Sequence, residues 1–125
     1  VLDALRMPKD TPTQKAARSE AIQSGYQRAT EIPMQTARHC RAALELCLDA
    51  ARCGNDVMIT DAGVGALVAL AGVQGAAYNA RINLKSIKDA DYVQRTGIEI
   101  AGLVEESRKI AGLVEHEVTR VIGQD

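Results

Sequence analysis

The chain contains no phenylalanine and no tryptophan, and its aromatic side chains are limited to Tyr26, Tyr78 and Tyr92. Proteins that hold single-stranded nucleic acid stack bases on such rings, so the scarcity argues against that class. It also leaves the core to Ala, Leu, Ile and Val. An excess of either charge is missing as well. Lys and Arg number 15 against 16 Asp and Glu, a formal net charge of −1 with both signs interspersed, and such a balance draws neither nucleic acid nor an anionic membrane surface. Cys40, Cys47 and Cys53 are odd in number and form no CxxC pair, which supports neither a zinc site nor a complete disulfide framework. A reducing, cytoplasmic setting is the expectation. His39 and His116 have no further ligand at metal spacing, so no metal is expected, and both read as surface helix residues. Gly63 and Gly65 lack the Lys and Ser/Thr of a phosphate-binding loop. No basic segment followed by an apolar run opens the chain.

What is present is helical almost throughout. Thr11-Pro12-Thr13-Gln14 has the form of a capping box with Pro at the first helical position, which predicts a helix from Pro12 to about Thr30. A second helix is expected to start near Pro33 and to end at Cys53, with Gly54 suited to a left-handed C′ position. Along it Ala37, Cys40, Leu44, Cys47, Leu48 and Ala51 keep the three-and-four spacing of a buried stripe, in which a free Cys behaves as a small hydrophobe. Val93, Ile100, Leu103, Ile110, Val114 and Val121 predict a last helix over Ala90 to Ile122, with a seam suited to antiparallel packing. The string IAGLVE occurs twice in it, a local coincidence or duplication, since its period matches no known solenoid unit. The fold class is therefore all-α, a multi-helix bundle of long antiparallel helices.

The most distinctive segment is Ala62 to Tyr78, where Gln74 is the one polar side chain before the terminal tyrosine and Gly65, Ala69, Gly72 and Ala76 recur at helical spacing. Thr60 is its expected N-cap, which puts Asp61 in the first turn. Small residues at that spacing let backbones approach closely, and the roughly 1 kcal/mol that each helical glycine costs is recovered only by tight packing. Asp61 and Arg81 close the segment at either end, which favours a helix crossing the middle of a bundle over a membrane span. Polar residues crowd both flanks: Asn55, Asp56 and Asp61 before it, and Asn79, Arg81, Asn83, Lys85, Lys88 and Asp89 after it.

The strings Gly54-Asn55, Asp61-Ala62-Gly63-Val64, Asn79-Ala80-Arg81-Ile82-Asn83-Leu84 and Ile87-Lys88-Asp89 resemble the formiminotransferase-cyclodeaminase and methenyltetrahydrofolate cyclohydrolase family, as do the upstream RMPKDTPTQKAARSEAIQ and Glu31-Ile32-Pro33. The resemblance implies a folate one-carbon enzyme. Members either expel ammonia from 5-formiminotetrahydrofolate while closing the methenyl ring, or hydrate that ring to 10-formyltetrahydrofolate. It further implies a tetrahydrofolate derivative as substrate, no permanently bound cofactor, and a domain longer than this chain. Residues 1–125 then form one helical domain corresponding to the C-terminal part of the family domain, and Val1, Leu2, Leu5 and Met7 read as the inside of an amphipathic helix.

Proton transfer at an amidine carbon needs a positioned carboxylate or imidazole. Asp61 is the candidate catalytic residue, as base or as stabiliser of the delocalised cation; first-turn acids are also commonplace in helices. Arg81 is suited to gripping a carboxylate bidentately, and Lys85 and Lys88 to adding charge for a glutamate tail, although cations near a helix C-terminus are favoured by the dipole alone. Asn79 and Asn83 carry amides able to read a pterin edge, and Asn55 is a further substrate-binding candidate; each is equally at home in a cap or turn. A helix joining Asp61 to Arg81 holds them about 30 Å apart, too far for one compact site. Antiparallel pairing of two copies in a homodimer would bring them together. The other reading of the same features is a noncatalytic helical interaction or oligomerisation module.

Overall fold

The computed structural model describes residues 1–123. A short helix α1 (Leu2–Leu5) precedes three long ones, α2 (Pro12–Cys53), α3 (Ile59–Leu84) and α4 (Ala90–Ile122), with a 3₁₀ turn at Asp56–Met58 between α2 and α3. The long helices pack on one another up, down and up, and α1 lies against α2. The fold is an all-α bundle, as the periodicity predicts.

Helix α2 starts at the capping box read from the sequence. The Gln14 N–H donates to Thr11 Oγ1 at 3.2 Å, and the Thr11 N–H donates back to Gln14 Oε1 at 3.1 Å. The expected break at Pro33 is absent, and α2 continues through it to Cys53. A proline in a helix interior leaves the carbonyl four residues earlier without its donor. Here that carbonyl belongs to Ala29, and the Asn83 side-chain N–H of α3 donates to it at 3.1 Å. Tertiary structure thus supplies the hydrogen bond that the local sequence removes. Two more expectations fail at the next corner. Gly54 is extended (φ −81, ψ −179) rather than left-handed; a Cβ there would collide with the Ala50 carbonyl oxygen, so close approach and not handedness requires glycine. Thr60 does not cap α3, which begins at Ile59 after the 3₁₀ turn, with Met58 in the cap position and no side-chain cap bond.

Close packing of α2 on α3 has a specific origin. A Cβ built on Gly72 would lie 2.6 Å from Cys40 Sγ, and one on Gly65 would lie 3.0 Å from Cys47 Sγ. Two cysteines one heptad apart thus fill two notches one heptad apart on the antiparallel neighbour, where each thiol acts as a small hydrophobe. Val118 of α4 approaches Gly63 in the same way, 2.9 Å from its absent Cβ. Around this seam Met34, Leu44, Val73, Ile100 and Val114 are fully buried. On the surface Arg38 pairs with Glu99 at 2.7 Å and Glu31 at 2.8 Å, and Arg41 with Glu106 at 2.7 Å and Glu45 at 3.0 Å, linking α2 to α4. Glu99 first, then Glu31, hold the Arg38 guanidinium above its ordinary pKa.

The stretch Asp56–Leu84 has the length and apolarity of a membrane span, mean hydropathy 1.6, yet only 22% of its most apolar window is buried in the bundle. One face of α3 is therefore uncovered.

Asn83→Ala is expected to cost about 1–3 kcal/mol in urea unfolding, because the Ala29 carbonyl loses its donor in a half-buried setting. Combined with Pro33→Ala, which restores a backbone donor, that cost should fall by at least about half, a coupling read directly by the double-mutant cycle. Gly72→Ala should lower stability by about 1 kcal/mol, overpacking at Cys40 outweighing the helix-propensity gain. Placed in a Cys40→Ala background it should become neutral or stabilising.

Candidate functional site

The polar residues singled out in the sequence fall at the two ends of α3. At the start, Asn55 accepts from the Val57 N–H at 3.0 Å and so caps the 3₁₀ turn. Asp61 follows in the first turn of α3, exposed. At the other end Asn79 and Arg81 lie inside the helix rather than after it, because α3 runs on to Leu84. Asn79 donates to the Gly75 carbonyl of its own helix at 3.1 Å, and the amide nitrogen of Asn83 is engaged by Ala29. Asp89 caps α4 by accepting from the Tyr92 N–H at 3.0 Å. His39 and His116 are both exposed. Among the described residues no group of His, Cys, Asp and Glu has the arrangement of a metal site.

Lys88 is drawn into a cluster that the sequence alone did not reveal. The loop after α3 is pinned to α2 through Gln23, whose side-chain N–H donates to the Ser86 carbonyl at 3.0 Å while its Oε1 accepts from the Lys88 N–H at 2.7 Å. The pinning closes a recess of about 310 Å³ lined by Lys9, Lys15, Arg18, Ser19, Gln23 and Lys88. Four cations from three segments meet there, and none has an ion-pair partner among the described residues. Arg18 Nη2 donates to the Leu5 carbonyl at 3.1 Å, while its Nε is buried without a partner. No acidic residue occupies the first turn of α2, so the positive end of that helix dipole adds to the field. Such a recess suits a carboxylate or another anion. The signal was present in the PKDTPTQKAARS string, but its lysines meet Lys88 only through the antiparallel return of the chain.

A second hollow, about 380 Å³, lies between α3 and α4 at the Asp61 end. Its floor is apolar, formed by Gly63, Leu67, Leu70 and Val118, and Thr60, Arg108 and Glu115 stand at its edge. A flat heteroaromatic ring matches a slot of that character. The two hollows sit at opposite ends of the 26-residue α3, on the order of 35 Å apart along its axis. Asp61 and Lys88 therefore cannot address one small molecule within a single copy.

Comparison with known proteins shows which family the chain resembles. The family model for formiminotransferase-cyclodeaminase matches residues 1–101. A methenyltetrahydrofolate cyclohydrolase of Methylorubrum extorquens is 37% identical over 107 residues, 86% of this chain and 51% of that protein. The formimidoyltransferase-cyclodeaminases of Sus scrofa and Mus musculus are 34% and 33% identical over 113 residues, 90% of this chain and 21% of each. The chain thus spans about half the length of the cyclohydrolase and about a fifth of the bifunctional proteins. It belongs to the formiminotransferase-cyclodeaminase family.

Proposed function

We propose that the chain is part of a cytoplasmic folate one-carbon enzyme acting on the 5,10-methenyl or 5-formimino carbon of tetrahydrofolate, as a methenyltetrahydrofolate cyclohydrolase or a formimidoyltetrahydrofolate cyclodeaminase. The observation that carries this reading is the unpaired basic recess on the matched part of the chain, formed by Lys9, Lys15, Arg18 and Lys88. It offers a place for the acidic glutamate end of a folate, and Lys85 and Arg81 extend the positive charge along α3. The apolar slot beside Thr60 of a second copy offers a place for the pterin, because the recess and the slot of one copy are too far apart for one folate. In the hydrolytic direction, Asp61 takes one proton from the water whose oxygen bonds to the methenyl carbon. The bond from that carbon to N5 then breaks, the second water proton passes to N5, and the formyl group stays on N10. In the deaminating direction N10 attacks the carbon of the protonated formimino group, the N10 proton passes to the departing nitrogen, and the bond from carbon to that nitrogen breaks, releasing ammonia and leaving the methenyl cation. The folate is substrate throughout, and neither route calls for a resident cofactor or a metal. The noncatalytic interaction module remains the second reading, favoured by the uncovered apolar face of α3.

With purified protein, the methenyltetrahydrofolate absorbance should decay above its spontaneous rate, and Asp61→Asn should slow that decay about 10²-fold. Formation of the same absorbance from 5-formiminotetrahydrofolate would identify the deaminase instead; no change in either direction would leave the interaction module. Lys9→Gln combined with Lys15→Gln should raise KM roughly tenfold for a polyglutamyl substrate and much less for the monoglutamyl form, with kcat held.

A further inference from the structure

The basic recess holds more positive charge than the acidic end of a folate brings. Lys9 comes from the loop before α2, Lys15 and Arg18 from the first two turns of that helix, and Lys88 from the loop that Gln23 pins. No acidic side chain lines the recess among the described residues, and none of the ion pairs described within the chain engages these four cations. A single glutamate end carries two carboxylates, and added glutamates space theirs out along the tail. Four cations gathered around one small hollow call for a denser anion.

Shape points the same way. A carboxylate is planar and offers two oxygens, whereas a phosphoryl group is tetrahedral and offers three, so it meets donors arriving from three segments. Arg18 has the fork that grips such a group. Its Nη2 is engaged by the Leu5 carbonyl at 3.1 Å, and its Nε is buried with no partner. A buried N–H without an acceptor is costly, and an oxygen of a bound anion removes that cost. The Ser19 hydroxyl adds a neutral donor. From Lys15 to Gln23 the recess follows α2 for about 12 Å, and its volume of about 310 Å³ lies at the small end of the ~300–1,000 Å³ range of ligand sites. Two phosphoryl groups in line carry roughly three to four negative charges between them, a near match to the four cations. We propose that the recess binds a diphosphate group, free or at the end of a nucleotide, and that this anion regulates the protein by excluding the acidic end of the substrate from Lys9, Lys15, Arg18 and Lys88. The exclusion rests on the folate reading; the anion site itself does not.

Isothermal titration calorimetry of the whole protein, in phosphate-free buffer at fixed ionic strength so that general screening is constant, should show inorganic pyrophosphate binding at least tenfold tighter than glutarate, which has the two carboxylates of a glutamate end. Lys15→Gln and Lys88→Gln should each weaken pyrophosphate at least fivefold. Lys109→Gln, which removes the same charge from the exposed surface of α4, should change it less than twofold. Arg18→Lys keeps the charge and removes the fork, and should weaken binding more than tenfold; because Arg18 also holds the Leu5 carbonyl, the two lysine variants carry the test should Arg18→Lys unfold. ADP binding more tightly than pyrophosphate identifies a nucleotide as the source, and equal or weaker binding identifies the free anion. Absence of pyrophosphate binding, glutarate bound as tightly, or equal losses in Lys109→Gln and Lys15→Gln overturns the proposal. In turnover, pyrophosphate should raise KM for methenyltetrahydrofolate with kcat held. Turnover indifferent to saturating pyrophosphate overturns the regulation, and pyrophosphate binding without turnover of either folate counts against the folate reading alone.

Discussion

The bond from Asn83 to the Ala29 carbonyl holds the rest of the architecture in register. A proline in the interior of a 42-residue helix ordinarily costs about 3 kcal/mol and breaks or bends the rod. Here the orphaned carbonyl faces the last turn of α3, and an asparagine one helix away replaces the missing donor. Tyr92 donates to the Gln27 carbonyl at 3.4 Å in the neighbouring turn, so α3 and α4 both engage this stretch of α2. Because α2 remains one rod, its first turns project past the end of α3 and meet the loop that returns to α4. Lys9, Lys15, Arg18 and Lys88 converge only under that condition.

The Cys–Gly seam sets the other dimension of the bundle. Without Phe or Trp, apolar burial must come from small and aliphatic residues, whose limited area per residue requires helices to come close. Gly65 and Gly72 permit that approach, and Cys47 and Cys40 fill the notches without leaving cavities. Because side chains at the seam are small, α3 spends one face on α2 and α4 and keeps its larger residues, Leu67, Tyr78 and Ile82, on the outside. A helix apolar all round ordinarily sits in the middle of something; here the other two long helices, α2 and α4, enclose only part of it.

Local signals were legible in the sequence wherever local chemistry decides the structure. The capping box at Thr11, the first-turn place of Asp61 and the limits of α4 follow from propensity and periodicity, and the structure agrees with each. Readings failed where a distant residue overrides the local rule. Pro33 announces a boundary that Asn83 cancels, Thr60 is a good cap displaced by the turn that Asn55 caps, and Gly54 serves proximity rather than handedness. The candidate site divides in the same way. Asn55, Asn79 and Asn83, read as substrate-binding candidates equally at home in caps or turns, each give one amide atom to backbone, whereas the basic recess was hidden because Lys88 lies far along the chain from Lys9, Lys15 and Arg18. Spacing cannot report a convergence that topology creates.

The first turn of α2 holds Lys15 and no acidic side chain, an arrangement that works against the helix dipole. An anion seated in the recess takes the place that a first-turn aspartate fills in other helices. If the recess takes an anion as the folate reading proposes, its occupancy and the folding free energy of this end of the bundle are linked quantities: ligand would raise the melting temperature by mass action, and added salt would screen the same field and erode the gain.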